Sequence, residues 1–289
     1  MFDPKTNKFP YPMDTGTHYL EVKKDNGTIY DNKYPYIDTS KKFKRRQFWF
    51  RLAVFYIARP IVSIRLGLKI NGKKKLKQYK EVLDKGVVSV SNHVHMWDYL
   101  SIMCALSPRR HTNILSWDKN ISGENGKLIR MAGGIPVPNQ TRGFVKMAFD
   151  TVNLLKRGGW LHVAAEASMW EYYAPIRPFK EGAAFFAYEA NRPIFPMAFS
   201  YRPVGWIRKH IFHQIAKFTL NIGDPIYPDM NLPKHEAIKK LTVEAHEAVC
   251  KLAGFEKGEN IYQPIYSPET NKRIDYYTDT YGVGYKGSW

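Results

Sequence analysis

The sequence predicts an α/β fold: a single αβα domain with a central, largely parallel sheet. Three observations lead there. Between Gly86 and Gly254, short apolar runs with strand character alternate with stretches of helical period, the pattern of strands joined by crossover helices. The composition, 44% hydrophobic and 15% aromatic over 289 residues, is that of a globular chain long enough to bury a sizeable core. No internal repeat breaks the pattern into an array.

Residues 1–40 are polar and rich in Tyr, Pro and Asp, without a sustained period, and read as an extended arm that packs only where the main body holds it. Residues 41–70 form a basic helical segment, and residues 71–254 the main domain. There "GVVSVS", ending at Ser91, is a strand and "DYLSIMCAL" from Asp98 a helix. "TNILSW" is a strand, "GKLIRMA" a short helix and "GIPV" a short strand. Helix 142–157 carries Val145, Ala148, Val152 and Leu155 on one predicted inward face, with Lys146, Asp150, Asn153 and Arg157 turned away. Gly158 and Gly159 stop it. "WLHVAAE" follows as a buried strand, "EGAAFFAYEA" as a helix, and "PIFPMAFSYR" and "KFTLNIGDPI" as two further strands. A last helix starts near Pro233, aligns Ala237, Leu241, Ala245, Ala248 and Leu252, and stops at Gly254. Residues 255–289 hold six tyrosines among Gly, Pro and Asn, and are expected to wrap the surface as an irregular tail.

The formal net charge is +18, which calls for an anionic partner. Most of the excess is local: residues 41–80 hold 14 Lys or Arg and no Asp or Glu. Within that stretch, "QFWFRLAVFYIARPIVSIRLGL" is too often interrupted by charge for a clean membrane span. On a helical wheel Lys44, Arg51, Arg59, Arg65 and Lys69 share one arc, and Phe48, Trp49, Val54, Ile57, Ile61 and Val62 fall outside it. Such a helix suits an anionic membrane surface, with Arg51, Arg59 and Arg65 at the phosphates and Trp49 at headgroup level. Pro60 is expected to bend it into two pieces. A core helix with a solvated basic face is the plainer alternative. No groove-reading module accompanies the basic residues, so nucleic acid is not the expected partner. Cys104 and Cys250 stand far apart in apolar helical patterns, as buried thiols of a reducing compartment do. The amino terminus shows no basic region followed by an apolar core, so no secretory signal is expected.

The run "NHVHMWD", Asn92 to Asp98, follows the strand "GVVSVS" directly. In an α/β sheet, ligands gather where strands end and helices begin, and His93 stands at such a junction. Asp98, five residues on, can accept a hydrogen bond from one imidazole nitrogen, which fixes the tautomer and makes the other nitrogen the basic one. Two other readings stay open on these residues alone. His93-x-His95 with a nearby aspartate is partly a metal-ligand pattern, although Asp98 comes one residue too late and no second histidine follows it. His93 could equally be a satisfied structural histidine.

The wider sequence adds context. His-x4-Asp preceded by Asn resembles the first signature block of the PlsC-type glycerolipid acyltransferases, which include the 1-acylglycerol-3-phosphate acyltransferases. "GGIPVPNQTRG" from Gly133 to Gly143 resembles the second block, and "LHVAAEASMW" from Leu161 to Trp170 stands where the family has Phe-Pro-Glu-Gly-Thr-Arg. "PFKEGAAFFAYEANRPIFPMAF" from Pro178 to Phe199 is similar to the segment leading into the fourth block. The resemblance runs from about Leu66 to about Gly254. It implies a membrane-associated O-acyltransferase that moves a fatty acyl group from a thioester, on acyl carrier protein or coenzyme A, to a hydroxyl of a glycerolipid or lysophospholipid-like acceptor. His93 would be the base and Asp98 its orienting partner, with no cofactor beyond the acyl thioester and no metal. Lys119 or backbone N–H groups would meet the oxyanion. The protein would work at the cytoplasmic face of the cell membrane as a peripheral protein. A lipid-binding protein without turnover and an acyl thioesterase are the alternatives.

The third block departs from the family. Glu166 matches its glutamate, but Ala167-Ser168-Met169 replaces Gly-Thr-Arg, and the lost arginine is the family's expected holder of the acceptor phosphate. In the second block Asn139 stands where an arginine is common, and Arg142 is the nearest substitute. Glu166, Ser168, Arg142 and Lys119 are therefore the expected substrate-binding residues, for an acceptor whose headgroup need not be a phosphomonoester.

Overall fold

A computed structural model describes residues 25–106, 110–211 and 214–256. Seven strands form one sheet: β1 (Lys69–Asn71), β2 (Val87–Ser91), β3 (Thr112–Trp117), β4 (Gly134–Val137), β5 (Trp160–Ala164), β6 (Ile194–Arg202) and β7 (Lys217–Ile222). Their order is β1-β7-β6-β2-β5-β3-β4. β2 pairs in parallel with both β5 and β6, and β3 in parallel with β4 and β5. β7 runs antiparallel to β6 and carries β1 on its far side. The sheet is thus parallel through its centre, with a reversed edge.

Strand periodicity divides the core in two. Along β6, Phe195, Met197 and Phe199 face one cluster, while Ile194 and Ala198 face the other. The second cluster is closed by α8 (Thr141–Lys156), α9 (Gly182–Ala190) and α11 (Lys234–Ala253) through Met147, Leu155, Ala183, Phe186 and Leu241. The first is closed by α1 (Lys41–Ala53), a π-helical turn (Val54–Ala58), α2 (Arg59–Leu66) and α5 (Asp98–Ala105), through Val54, Val62, Leu66 and Ile102. Short helices α3 (Lys73–Gln78), α4 (Lys80–Asp84), α6 (Asp118–Ser122), α7 (Gly126–Met131) and α10 (Trp206–His210) fill the connections. A helical layer covers each sheet face, the αβα arrangement that the alternation predicts.

Two faces differ from the sequence expectation. In α8 the buried stripe is Gly143, Met147, Thr151 and Leu155, and Val145 is exposed. The arm is the cause. Tyr30 and Tyr36 pack on this helix so closely that a Cβ at Gly143 would lie 2.2 Å from the Tyr30 carbonyl oxygen. Residues 25–40 are therefore held by the body, whereas 1–24 and the tyrosine-rich tail from 257 lie outside the described residues.

The second difference concerns the basic helix. Its inward stripe is Gln47, Val54, Val62 and Leu66, with Arg51 and Ala58 half-buried along the same line. The π-helical turn directly before Pro60, where the Arg59 N–H donates to the Val54 carbonyl, widens the spacing to nearly four residues. Arg51, upstream of that turn, faces inward, against the predicted arc, and Arg59 is half-buried over Phe55. Arg65 stays exposed. The open face is instead apolar: Trp49, Tyr56, Ile57, Ile61 and Ile64 are 55–70% exposed, below the Lys41–Arg46 cluster. Trp206, Ile207 and Ile211 extend this surface at its far end, where Arg208 donates to the Ile64 carbonyl. No helix among the described residues is long and apolar enough to cross a membrane.

Candidate active site

β2 is the central strand, and the chain leaves its carboxyl end at Asn92. That residue is buried and clamps the end to β6, donating from Nδ2 to the Phe199 carbonyl (3.0 Å) and accepting the Phe199 N–H (2.8 Å). The next six residues fold back on one carboxylate. Asp98 Oδ2 accepts the N–H groups of Val94 (2.7 Å) and His95 (2.9 Å) and lies 3.0 Å from His93 Nδ1. Asp98 is also the first residue of α5, so its charge sits at the favourable end of that helix. It is almost fully buried, while the His93 side chain keeps 27% of its surface. A carboxylate gripped by two amides and sealed from solvent can hold the imidazole through Nδ1–H, an arrangement that turns Nε2 away from the carboxylate.

The loop after β5 braces this turn from behind. Glu166 Oε2 accepts the His93 N–H at 2.9 Å, the Trp170 N–H donates to the His93 carbonyl at 3.0 Å, and the Tyr172 N–H to the Val94 carbonyl at 2.9 Å. Glu166 is itself held by Arg177, whose N–H reaches Oε1 and whose guanidinium reaches Oε2, both at 2.8 Å. Arg177 also binds the Ser168 hydroxyl (2.6 Å) and carbonyl and stacks over Trp170 at 4.4 Å. Arg177, Glu166 and Ser168 are all buried. The third-block glutamate and serine thus lie in the supporting shell of His93, engaged with an arginine inside the fold. Ala167 sits between them at φ 67°. This is a left-handed conformation that a glycine adopts freely and an alanine holds at a cost on the order of 1 kcal/mol.

Arg177 escaped the sequence reading. It lies eleven residues beyond Glu166 in "APIRPF", and the only local signal was an isolated cation in an apolar run. A buried polar cluster under β2 was also missed. His162 meets Ser89 through Nδ1 (3.0 Å) and Ser91 through Nε2 (3.3 Å), Trp160 donates to Ser89, and Tyr99 stacks on the imidazole. Burial holds His162 far below an ordinary histidine, at about 3. His95 is likewise lowered, first by burial, and its Nδ1 accepts the Trp97 N–H. Among the described residues no three His, Cys, Asp or Glu side chains converge as a metal set would.

The other expected site residues are more dispersed. Lys119 and Arg142 are exposed at the carboxyl ends of β3 and β4, the edge that His93 shares, and neither makes an ion pair among the described residues. Lys119 lies 5.1 Å from the Trp117 ring. Arg65, at the end of α2, is near enough to act electrostatically on His95 and Tyr172, so the helix with the exposed apolar face ends beside the site. Arg51 and Trp49 belong to the far half of that helix. Burial pushes the thiols of Cys104 and Cys250 up to about 11 and about 12, which leaves them as protonated packing groups.

Two comparisons place the chain beside known proteins. The crystal structure of the 1-acyl-sn-glycerophosphate (LPA) acyltransferase PlsC from Thermotoga maritima aligns over 76% of this chain and 86% of that one, at 16% identity and a TM-score of 0.44. A family model described as Acyltransferase matches residues 67–200. That matched stretch holds His93, Asp98 and the Glu166–Arg177 brace.

Proposed function

We propose that the chain transfers a fatty acyl group from a thioester to a lipid hydroxyl at a membrane surface. His93 Nε2 takes the proton of the hydroxyl as its oxygen attacks the thioester carbonyl. The imidazolium then returns that proton to the departing thiolate as the C–S bond breaks. Asp98 orients the ring and stabilises its charged form. The observation that carries the reading is the 3.0 Å contact between His93 Nδ1 and a buried Asp98 Oδ2 already fixed by two amides, within the stretch that the acyltransferase family model matches. No protein nucleophile is invoked, since an activated alcohol held against a thioester needs proximity and a base.

The acceptor and product are lipids on this reading, and the exposed apolar face of α1 and α2 is what would rest in the interface, with Lys41–Arg46 at anionic phosphates. With Arg177 buried beneath the site, the exposed Lys119 and Arg142, with Arg65 at the end of α2, are the cations that would meet an anionic acceptor or the developing oxyanion. The donor is an acyl carrier protein or coenzyme A thioester. Incubating the protein with each labelled donor and a total lipid extract tests the reading. Label in one lipid class supports it, and label only in free fatty acid would replace transfer by hydrolysis.

A further inference from the structure

A cavity of about 1700 Å³ opens at the opposite end of the sheet from His93, between α1, α3, α8 and the arm at 33–39. Its floor is the amino ends of β3, β4 and β5, marked by Asn113, Gly133 and Trp160. Ten Lys or Arg line it against three Asp. Asp84 is taken by Lys80 and Arg110, and Asp150 by Lys146. Asp38 accepts the Ser40 N–H ahead of α1. Arg51, Lys73, Lys77 and Arg157 remain without an ion pair among the described residues.

Two of the lining side chains are built in rather than fringing. Among the described residues Arg51 Nε and His111 Nδ1 are buried without a hydrogen-bond partner, an arrangement that disfavours the empty cleft. The surroundings disfavour charge on two of the unpaired cations: Lys73 is lowered first by burial and then by Arg59 and Lys77, and Arg51 by burial. A cleft lined by ten Lys or Arg against three Asp, with Arg51, Lys73, Lys77 and Arg157 unpaired among the described residues, is matched to an anion with several oxygens, for which guanidinium and ammonium groups are the standard partners. The volume exceeds the usual range of roughly 300–1,000 Å³ for a small-molecule pocket, so a ligand with more than one phosphate fits.

We propose that this cleft is a second binding site, remote from the dyad, for a phosphate-bearing anion, carried on a lipid headgroup or free as a polyphosphate, held by Arg51, His111, Lys73, Lys77 and Arg157. No step involves His93, so loss of acyl transfer in a His93 variant leaves the proposal standing.

The test is calorimetric titration of the full chain with inorganic tripolyphosphate at near-physiological salt. Saturable binding is expected. Arg51→Gln and, separately, the double change Lys73→Gln with Lys77→Gln should weaken it at least tenfold. Lys239→Gln with Lys251→Gln, which removes equal charge from exposed positions on α11 outside the cleft, should change it less than twofold. The double lysine variant alters exposed side chains and keeps the test decisive if Arg51→Gln does not fold. In a second arm, phosphatidylcholine vesicles with one-fifth phosphatidic acid compete with tripolyphosphate. Displacement assigns a lipid headgroup, and tripolyphosphate binding without displacement assigns a soluble anion. Absence of saturable binding to either probe, or equal weakening by the control pair, would overturn the proposal.

Discussion

The guanidinium of Arg177 lies 2.8 Å from Glu166 Oε2, the same oxygen that accepts the His93 N–H. The backbone of the histidine is therefore positioned by a buried ion pair. Such pairs add little net stability, yet removing one partner strands the other charge at a cost of about 3–5 kcal/mol. Arg177→Leu should lower the free energy of unfolding measured in urea by that amount, and adding Glu166→Gln should recover part of the loss. A single variant as stable as wild type would contradict the pairing.

Ala167 leads to a smaller prediction of opposite sign. Its left-handed backbone is strained for any residue with a Cβ, so Ala167→Gly should raise unfolding stability by about 1 kcal/mol or less. Thermal unfolding measures it, and a lowered midpoint would count against the strain.

A third prediction concerns pH. Burial holds His162 at about 3, and burial followed by Arg51 holds His111 at about 4. Both are neutral in the fold, while the unfolded chain binds protons on histidine below about pH 6.5. Stability is thus fully present above about 6.5 and is lost as pH falls toward the folded values, by at most about 1.4 kcal/mol per pH unit for each residue. Urea midpoints at pH 7.5 and 5.0 should show the drop, and His162→Gln should shrink it. A difference unchanged by that substitution would exclude His162 as a source.

The membrane reading rests on an apolar face. Ile57→Glu with Ile61→Glu should release the protein from anionic vesicles, because burying two carboxylates in the interface opposes insertion. Continued flotation of a folded double variant would remove that face from the interface.

How far the residues themselves disclosed this arrangement depended on sequence distance. His93 and Asp98 lie five apart, so the turn that joins them could be read directly, as could the strands and helices that set the αβα layers. Arg177 binds Glu166 across a loop without regular period, and no local pattern couples them. The face of α8 differs because the covering arm is remote in sequence, and beyond Ala58 the basic helix differs because one π turn before Pro60 changes its phase, turning Leu66 inward and Arg65 out. In each case the decisive contact was long-range or broke the regular repeat.

The central claim is that the imidazole of His93, oriented by Asp98, removes the proton of a lipid hydroxyl. Single-turnover transfer from a labelled acyl thioester, measured for wild type, His93→Ala and Asp98→Asn on equal amounts of folded, vesicle-bound protein, tests it most directly. The expected result is loss of transfer by at least about 10²-fold in both variants, the usual contribution of a general base, with vesicle binding unchanged. Transfer by His93→Ala at the wild-type rate would contradict it.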